Sequence, residues 1–240
     1  MRIIRFLILM FLVLTGSSSG YSQNADQIIA RYIQAIGGTE VVSNLKSLVL
    51  ESSSKFMMFK ANTVTTVLNG KGYKSETKAM GREIIQCFNE KGGWMSGISK
   101  EKNTEEMSRS QYMAGRQQMF IGSPFLDYKA KGFKTSYLGR EMVGDVNAYK
   151  ISLVKSATET DQYWFDPATG YLIKSLQKTS REDNPVEIVT LYTDYYKTKI
   201  GYVLPLTLEM DISGRMSVKS KITKVIVDQP VNATIFIKPI

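Results

Sequence analysis

Residues 202–210 read YVLPLTLEM. Tyr202, Leu204, Leu206, Leu208 and Met210 alternate with Val203, Pro205, Thr207 and Glu209. A period of two puts the first set on one face of a β-strand and the second on the other. Tyr149, Ile151 and Leu153 alternate in the same way, as do Tyr163 and Phe165. A sheet with one apolar face must cover it with helices, a second sheet or a ligand.

Outward from this segment the same period runs through 47–54, 63–69, 73–78 and 82–89, with Gly70, Gly72, Gly81 and Gly92-Gly93 marking turns. It returns in 133–138, 148–154, 162–165, 171–178, 186–196 and 215–227. Asp166 opens a D-P-A-T-G turn, where its carboxylate suits nearby backbone N–H groups. Short connections predict antiparallel hairpins. A helix is expected over 24–36: Asn24 and Gln27 form a capping box, Ile28, Ile29, Tyr32, Ile33 and Ile36 share a face, and Gly37-Gly38 ends it. Thr39 then caps a short second helix. A third is expected over 103–119, capped by Asn103 or Thr104 with Glu105 and Glu106 in its first turn. Residues 120–128, FIGSPFLDY, continue as loop or short helix. The reading is one α+β domain, mainly β, of about ten strands.

Composition narrows the chemistry. The 240-residue chain has no histidine and one cysteine, Cys87. That excludes a Ser-His-Asp triad, an HExxH zinc site, an internal disulfide and a Cys-rich metal site. Cys87, mid-strand with no flanking cation, reads as a small buried apolar residue. Adjacent acids occur at Glu105-Glu106, Glu159/Asp161 and Glu182-Asp183. A glycosidase would need two such acids in one cleft, about 5–9.5 Å apart. Turn and helix-start positions give them solvated faces instead, so no catalytic residue, cofactor or metal is expected.

The first residues carry Arg2 and Arg5, then the apolar run FLILMFLVLT over 6–15, then small polar residues to Ser22. This is the three-part secretory signal, with 1–22 removed and 23–240 the mature domain. Ten apolar residues span about 15 Å as a helix, half a hydrocarbon core. The expectation is a soluble, periplasmic monomer. Loss of Arg2 and Arg5 leaves 29 basic and 22 acidic residues, net +7. The basic residues are scattered, without a dense Arg cluster, so nucleic acid is not the expected partner.

Four segments, in order, carry a resemblance: ADQIIARYIQAIGGTEVVSNLKSL (25–48), YWFDPATGYLIKS (163–175), YTDYYKTKIGYVLPLTLEM (192–210) and VNATIFIKP (231–239). Together they resemble the periplasmic outer-membrane lipoprotein-sorting proteins of the LolA-like superfamily, in particular their Bacteroidetes-type relatives. The resemblance implies an incomplete antiparallel β-barrel curled around an apolar cavity and lidded by helices. It also implies a carrier for the acyl chains of lipoproteins or lipids, with inner- and outer-membrane transfer proteins as partners. An Arg lid contact of the LolA carrier has no clear counterpart, Arg116 being the candidate. Other relatives sense envelope stress, so a protein-interaction module on the same half-barrel is the rival expectation.

The residues themselves point the same way. Ten strands present more apolar area than three modest helices cover. The expected cavity wall is Leu48, Leu50, Met58, Ile151, Tyr163, Phe165, Leu204, Leu206 and Leu208, with Met113, Met119 and Phe120 as lid. Methionine is flexible and polarizable, and suits surfaces that accept variable alkyl chains. Plain core packing is the competing role for each of these side chains, because strand periodicity does not distinguish core from ligand wall. Trp94, beside Gly92-Gly93, lies either at a mobile mouth or in static packing.

Overall fold

The computed structural model describes residues 24–56, 58–97, 104–181 and 184–239. The expected signal segment 1–22, Met57, Asn103 and Glu182-Asp183 lie outside these residues. Among the described residues, no helix is long and apolar enough to cross a membrane.

Thirteen strands form one antiparallel sheet. Six precede its midpoint in the chain: β1 (Ser47–Phe56), β2 (Phe59–Leu68), β3 (Gly72–Ala79), β4 (Arg82–Asn89), β5 (Gly92–Ser96) and β6 (Thr104–Glu106). Seven follow it: β7 (Lys134–Val143), β8 (Val146–Val154), β9 (Thr160–Phe165), β10 (Leu172–Arg181), β11 (Asn184–Lys197), β12 (Val203–Ile212) and β13 (Met216–Val227). The order across the sheet is β6-β5-β4-β3-β2-β1-β13-β12-β11-β10-β9-β8-β7. Consecutive strands therefore pair as meanders on either side of a central β1–β13 seam, in which Leu48 lies opposite Val227. The edges, β6 and β7, are not paired with each other, so the barrel is open.

The helices are α1 (Ala25–Ala35), α2 (Gly38–Asn44) and α3 (Arg109–Gly115), with 3-10 turns at Arg116–Met119 and Ala233–Phe236. The Asn24–Gln27 capping box forms as expected. Gly37 separates α1 from α2 at φ +124°, where an added Cβ would lie 2.8 Å from the Gly201 carbonyl oxygen. The cap of α2 is Gly37 rather than Thr39, which lies inside the helix.

The middle segment departs from expectation. Thr104–Glu106 is a strand, not a first helical turn, and pairs with β5. Gly92-Gly93 begins β5 instead of serving only as a turn. The helix starts later, where Ser108 and Gln111 build a second capping box. The face of β12 that the alternation leaves to solvent is drier than expected: Val203 and Thr207 are buried, as is Leu204 on the other face. The Val203 N–H donates to the Ile36 carbonyl, and the Thr207 hydroxyl donates to Asp194 at 2.5 Å.

One hydrophobic cluster contains Val67 of β2 and Ile151 of β8. In a flat sheet those strands would stand roughly 34 Å apart, seven spacings of about 4.8 Å. Curling of the sheet around α1 brings them into one core. A smaller cluster of Cys87, Trp94 and Phe236 holds the C-terminal turn against β3–β5. Trp94 Nε1 (3.1 Å) and Asn89 Nδ2 (2.9 Å) both donate to the Phe236 carbonyl, so Trp94 is statically packed. Gly72 makes room for the Phe236 ring, which lies 2.4 Å from where a Cβ would stand.

Candidate functional site: the covered inner face

The inner face is built from α1, α2 with its buried Val42, the 119–128 segment and the sheet. Ile28, Ile29, Tyr32, Ile33 and Ile36 recur at helical spacing and bury one side of α1. They meet Tyr149, Ile151, Leu153, Tyr163, Phe165 and Leu204 from the strands. The link from β6 to β7 crosses from one sheet edge to the other and brings in Met119, Ile121, Phe125 and Tyr128, all buried.

Phe125 sits at the centre of an aromatic group. Its ring lies 4.8 Å from Tyr163, 5.6 Å from Phe165, 6.2 Å from Tyr32 and 6.5 Å from Tyr128, each edge-to-face. These are favoured aromatic geometries. The covering segment is tied at few points. The Gly70 N–H donates to Met119 O (2.8 Å), and the Ile121 N–H donates to Asn69 Oδ1 (3.0 Å). At its other end the Tyr128 hydroxyl donates to Asp26, and Lys129 Nζ donates to the same carboxylate at 2.6 Å. These bonds, Lys129 first, hold the Asp26 carboxyl below its ordinary pKa.

Polar groups cluster deeper in. Asp161 is 1% exposed and receives Lys155 Nζ at 2.7 Å and the Tyr163 hydroxyl at 3.0 Å. Burial pulls Lys155 down, but its bonds to Asp161 and Glu159 outweigh that and raise its pKa. Ser175 and Tyr192 share a hydrogen bond of 2.9 Å. Burial raises the phenols of Tyr32, Tyr163, Tyr192 and Tyr195, and pushes Tyr202 up to about 12. The face therefore offers hydrocarbon, aromatic rings and neutral phenols at physiological pH, with one buried ion pair, Lys155–Asp161, among them. Among the described residues, no group of three or more His, Cys, Asp or Glu could hold a metal ion. Asp166 bonds the Ala168 N–H (2.7 Å) and the Thr169 hydroxyl (2.7 Å), as its turn position requires.

Of the residues expected to line a cavity, Leu48, Ile151, Tyr163, Phe165 and Leu204 belong to the inner cluster, and Leu50, Leu206 and Leu208 pack against it. Met119, at the start of the covering segment, is buried but is not a member of the inner cluster. Met58, Met113 and Phe120 are not brought there and are solvent-exposed. Met58 occupies the tip of the β1–β2 hairpin, Met113 faces outward from α3, and Phe120 follows the 3-10 turn in extended conformation. Arg116, the candidate lid arginine, is also exposed. The contributions of α1 and Phe125 were not in the expected set. The apolar stripe of α1 was visible, but nothing in FIGSPFLDY told which ring turns inward.

A cleft of about 170 Å³ opens at the rim of this face, lined by Gln27, Ile28, Arg31, Tyr149, Phe165, Asp166 and Gly170. It is smaller than the roughly 300–1,000 Å³ pockets that hold small molecules.

The sequence matches no family model and no curated protein. Solved structures do match the fold. A domain from Vibrio parahaemolyticus described as outer membrane lipoprotein-sorting superposes with TM-score 0.58 at 12% identity, over 88% of this chain and 94% of that one. A LolA superfamily protein from Nitrosomonas europaea gives TM-score 0.58 at 13% identity, over 90% and 99% of the two chains. A DUF1329 family protein from Desulfovibrio piger gives 0.58 at 12%, over 87% and 96%. The chain thus has a LolA-like fold: an open, barrel-like antiparallel sheet with few helices.

Proposed function

We propose that this protein is a periplasmic carrier or chaperone that binds the acyl chains of lipoproteins or lipids on its inner face. The observation that carries the reading is the construction of that face. Its apolar and aromatic side chains are covered by two short helices, α1 and α2, and a segment without regular secondary structure, rather than by a second sheet. Such a cover can be exchanged for a guest without breaking a strand ladder. Each buried methylene contributes about 0.8 kcal/mol, so a partly inserted chain offsets the loss of cover contacts. Export by the 1–22 signal would place the 23–240 domain in the periplasm, where lipoproteins are in transit. No catalytic group or cofactor enters this reading.

The likeness of fold to a lipoprotein-sorting domain supports the substrate class. The test is lipid extraction and mass spectrometry of protein purified from its native host. It is followed by uptake of a fluorescent fatty acid or acylated peptide by the delipidated protein. Saturable uptake is expected. A delipidated protein that takes up neither probe, while crosslinking to a stoichiometric envelope protein, would replace the carrier by a sensor.

A further inference from the structure

We infer that the hairpin tips at one end of the sheet form a docking surface for an anionic lipid bilayer. The turns of β1–β2 and β3–β4 lie side by side, because Ala61 of β2 pairs with Ala79 of β3. Three large apolar side chains project there: Met58 (89% exposed), Phe59 (43%) and Met80 (70%). None belongs to the inner cluster. Isolated exposed apolar residues are common, but here they share one end and stand among cations.

Lys60, Lys78 and Arg82 line a cleft of about 380 Å³ around Met80, with Glu83 as its acid. Glu83 lies 3.8 Å from Lys78. Lys55, Lys60 and Arg82 have no ion-pair partner among the described residues, and all three are exposed. Lys55 faces Lys60 directly across the β1–β2 ladder; its neighbour across β1–β13, Lys219, is already paired with Glu209. Like charges opposite one another on a sheet are unfavourable unless an anion lies between or above them. Met80 adds a second local cost. It holds φ +52° in a two-residue turn, a conformation suited to Asn or Gly rather than to a long side chain. Strain, like-charge opposition and exposed hydrocarbon coincide at these tips. A surface of phosphate headgroups over acyl chains answers the last two, since lysines meet phosphate while Met and Phe enter the interface, and it gives a use to a long apolar side chain held at a strained turn position.

Co-sedimentation with vesicles of phosphatidylcholine, with and without phosphatidylglycerol, tests this on protein purified after export. Binding is expected only with phosphatidylglycerol, and it should weaken as salt rises. Lys55→Gln, Lys60→Gln and Arg82→Gln should each lower partitioning about fivefold. Met80→Asn combined with Met58→Ser should lower it further. Asn suits the left-handed turn, so Met80→Asn alone should leave the urea midpoint unchanged or raised. Equal binding to both vesicle types, no binding, or binding indifferent to these variants overturns the proposal. Self-association abolished by Met80→Asn without vesicle binding overturns it in favour of a second copy. The tips lie apart from the inner face, so acyl-probe uptake and vesicle binding can fail independently.

Discussion

At the scale of single residues, Phe125 has the most to lose. Four aromatic rings surround it, and it comes from a segment with no helix or strand to hold it. Phe125→Ala should destabilise the protein by about 3–5 kcal/mol, read from the urea midpoint. If the inner face is the acyl site, the space left should raise fluorescent fatty-acid uptake in the same variant. Cys87 is fully buried, and desolvation pushes its thiol up to about 12. Thiolate is scarce at that value, so a thiol reagent at pH 8 should label the native protein far more slowly than the urea-unfolded chain. The buried, inert character of Cys87 and the turn role of Asp166 were legible because each follows from local chemistry. The exposure of Met58 and Phe120 was not. Alternation tells which face a side chain shares, but not that it stands at the end of a hairpin or beyond a turn.

Among elements, the join between α1 and the covering segment is the informative one. Asp26 is ionised when it bonds Tyr128 and Lys129, and its folded pKa is lowered. Its contribution is therefore present above the ordinary aspartate value and lost as pH falls below about 4. Asp26 and Lys129 are 43% and 69% exposed, so solvent screening keeps the latch weak. Asp26→Asn should lower stability slightly at pH 7, and the difference from wild type should vanish at low pH in parallel urea titrations. The strands β5 and β6 illustrate where sequence runs out. Two acids after a potential cap suit a helix start, and two glycines suit a turn. What overrides both is tertiary: β4 offers β5 a ladder, β5 offers β6 another, and Gly93 is needed where a Cβ would meet Met107 Sδ at 2.6 Å. A helix cap or turn is a local preference, whereas an available strand edge is known only once the sheet exists.

For the molecule as a whole, the central seam joins the most distant parts of the chain. Leu48 waits for Val227, and β1, already paired with β2 on one side, keeps its other edge open until β13 arrives. Contacts of such separation slow folding. A chain ending at residue 212 should fail to give a cooperative urea transition, because β1 and β12 would each lose the β13 neighbour that joins the two halves. The meander on each side of the seam was readable from short connections and alternation. The pairing of the two halves was not, since no periodic pattern names a partner 180 residues away. The unjoined lips β6 and β7 have a different consequence. A closed barrel has its diameter set by strand number and stagger. Here no strand-to-strand hydrogen bond fixes the girth across the β6–β7 gap, and under the proposed carrier role that freedom would let one scaffold hold guests of unequal bulk.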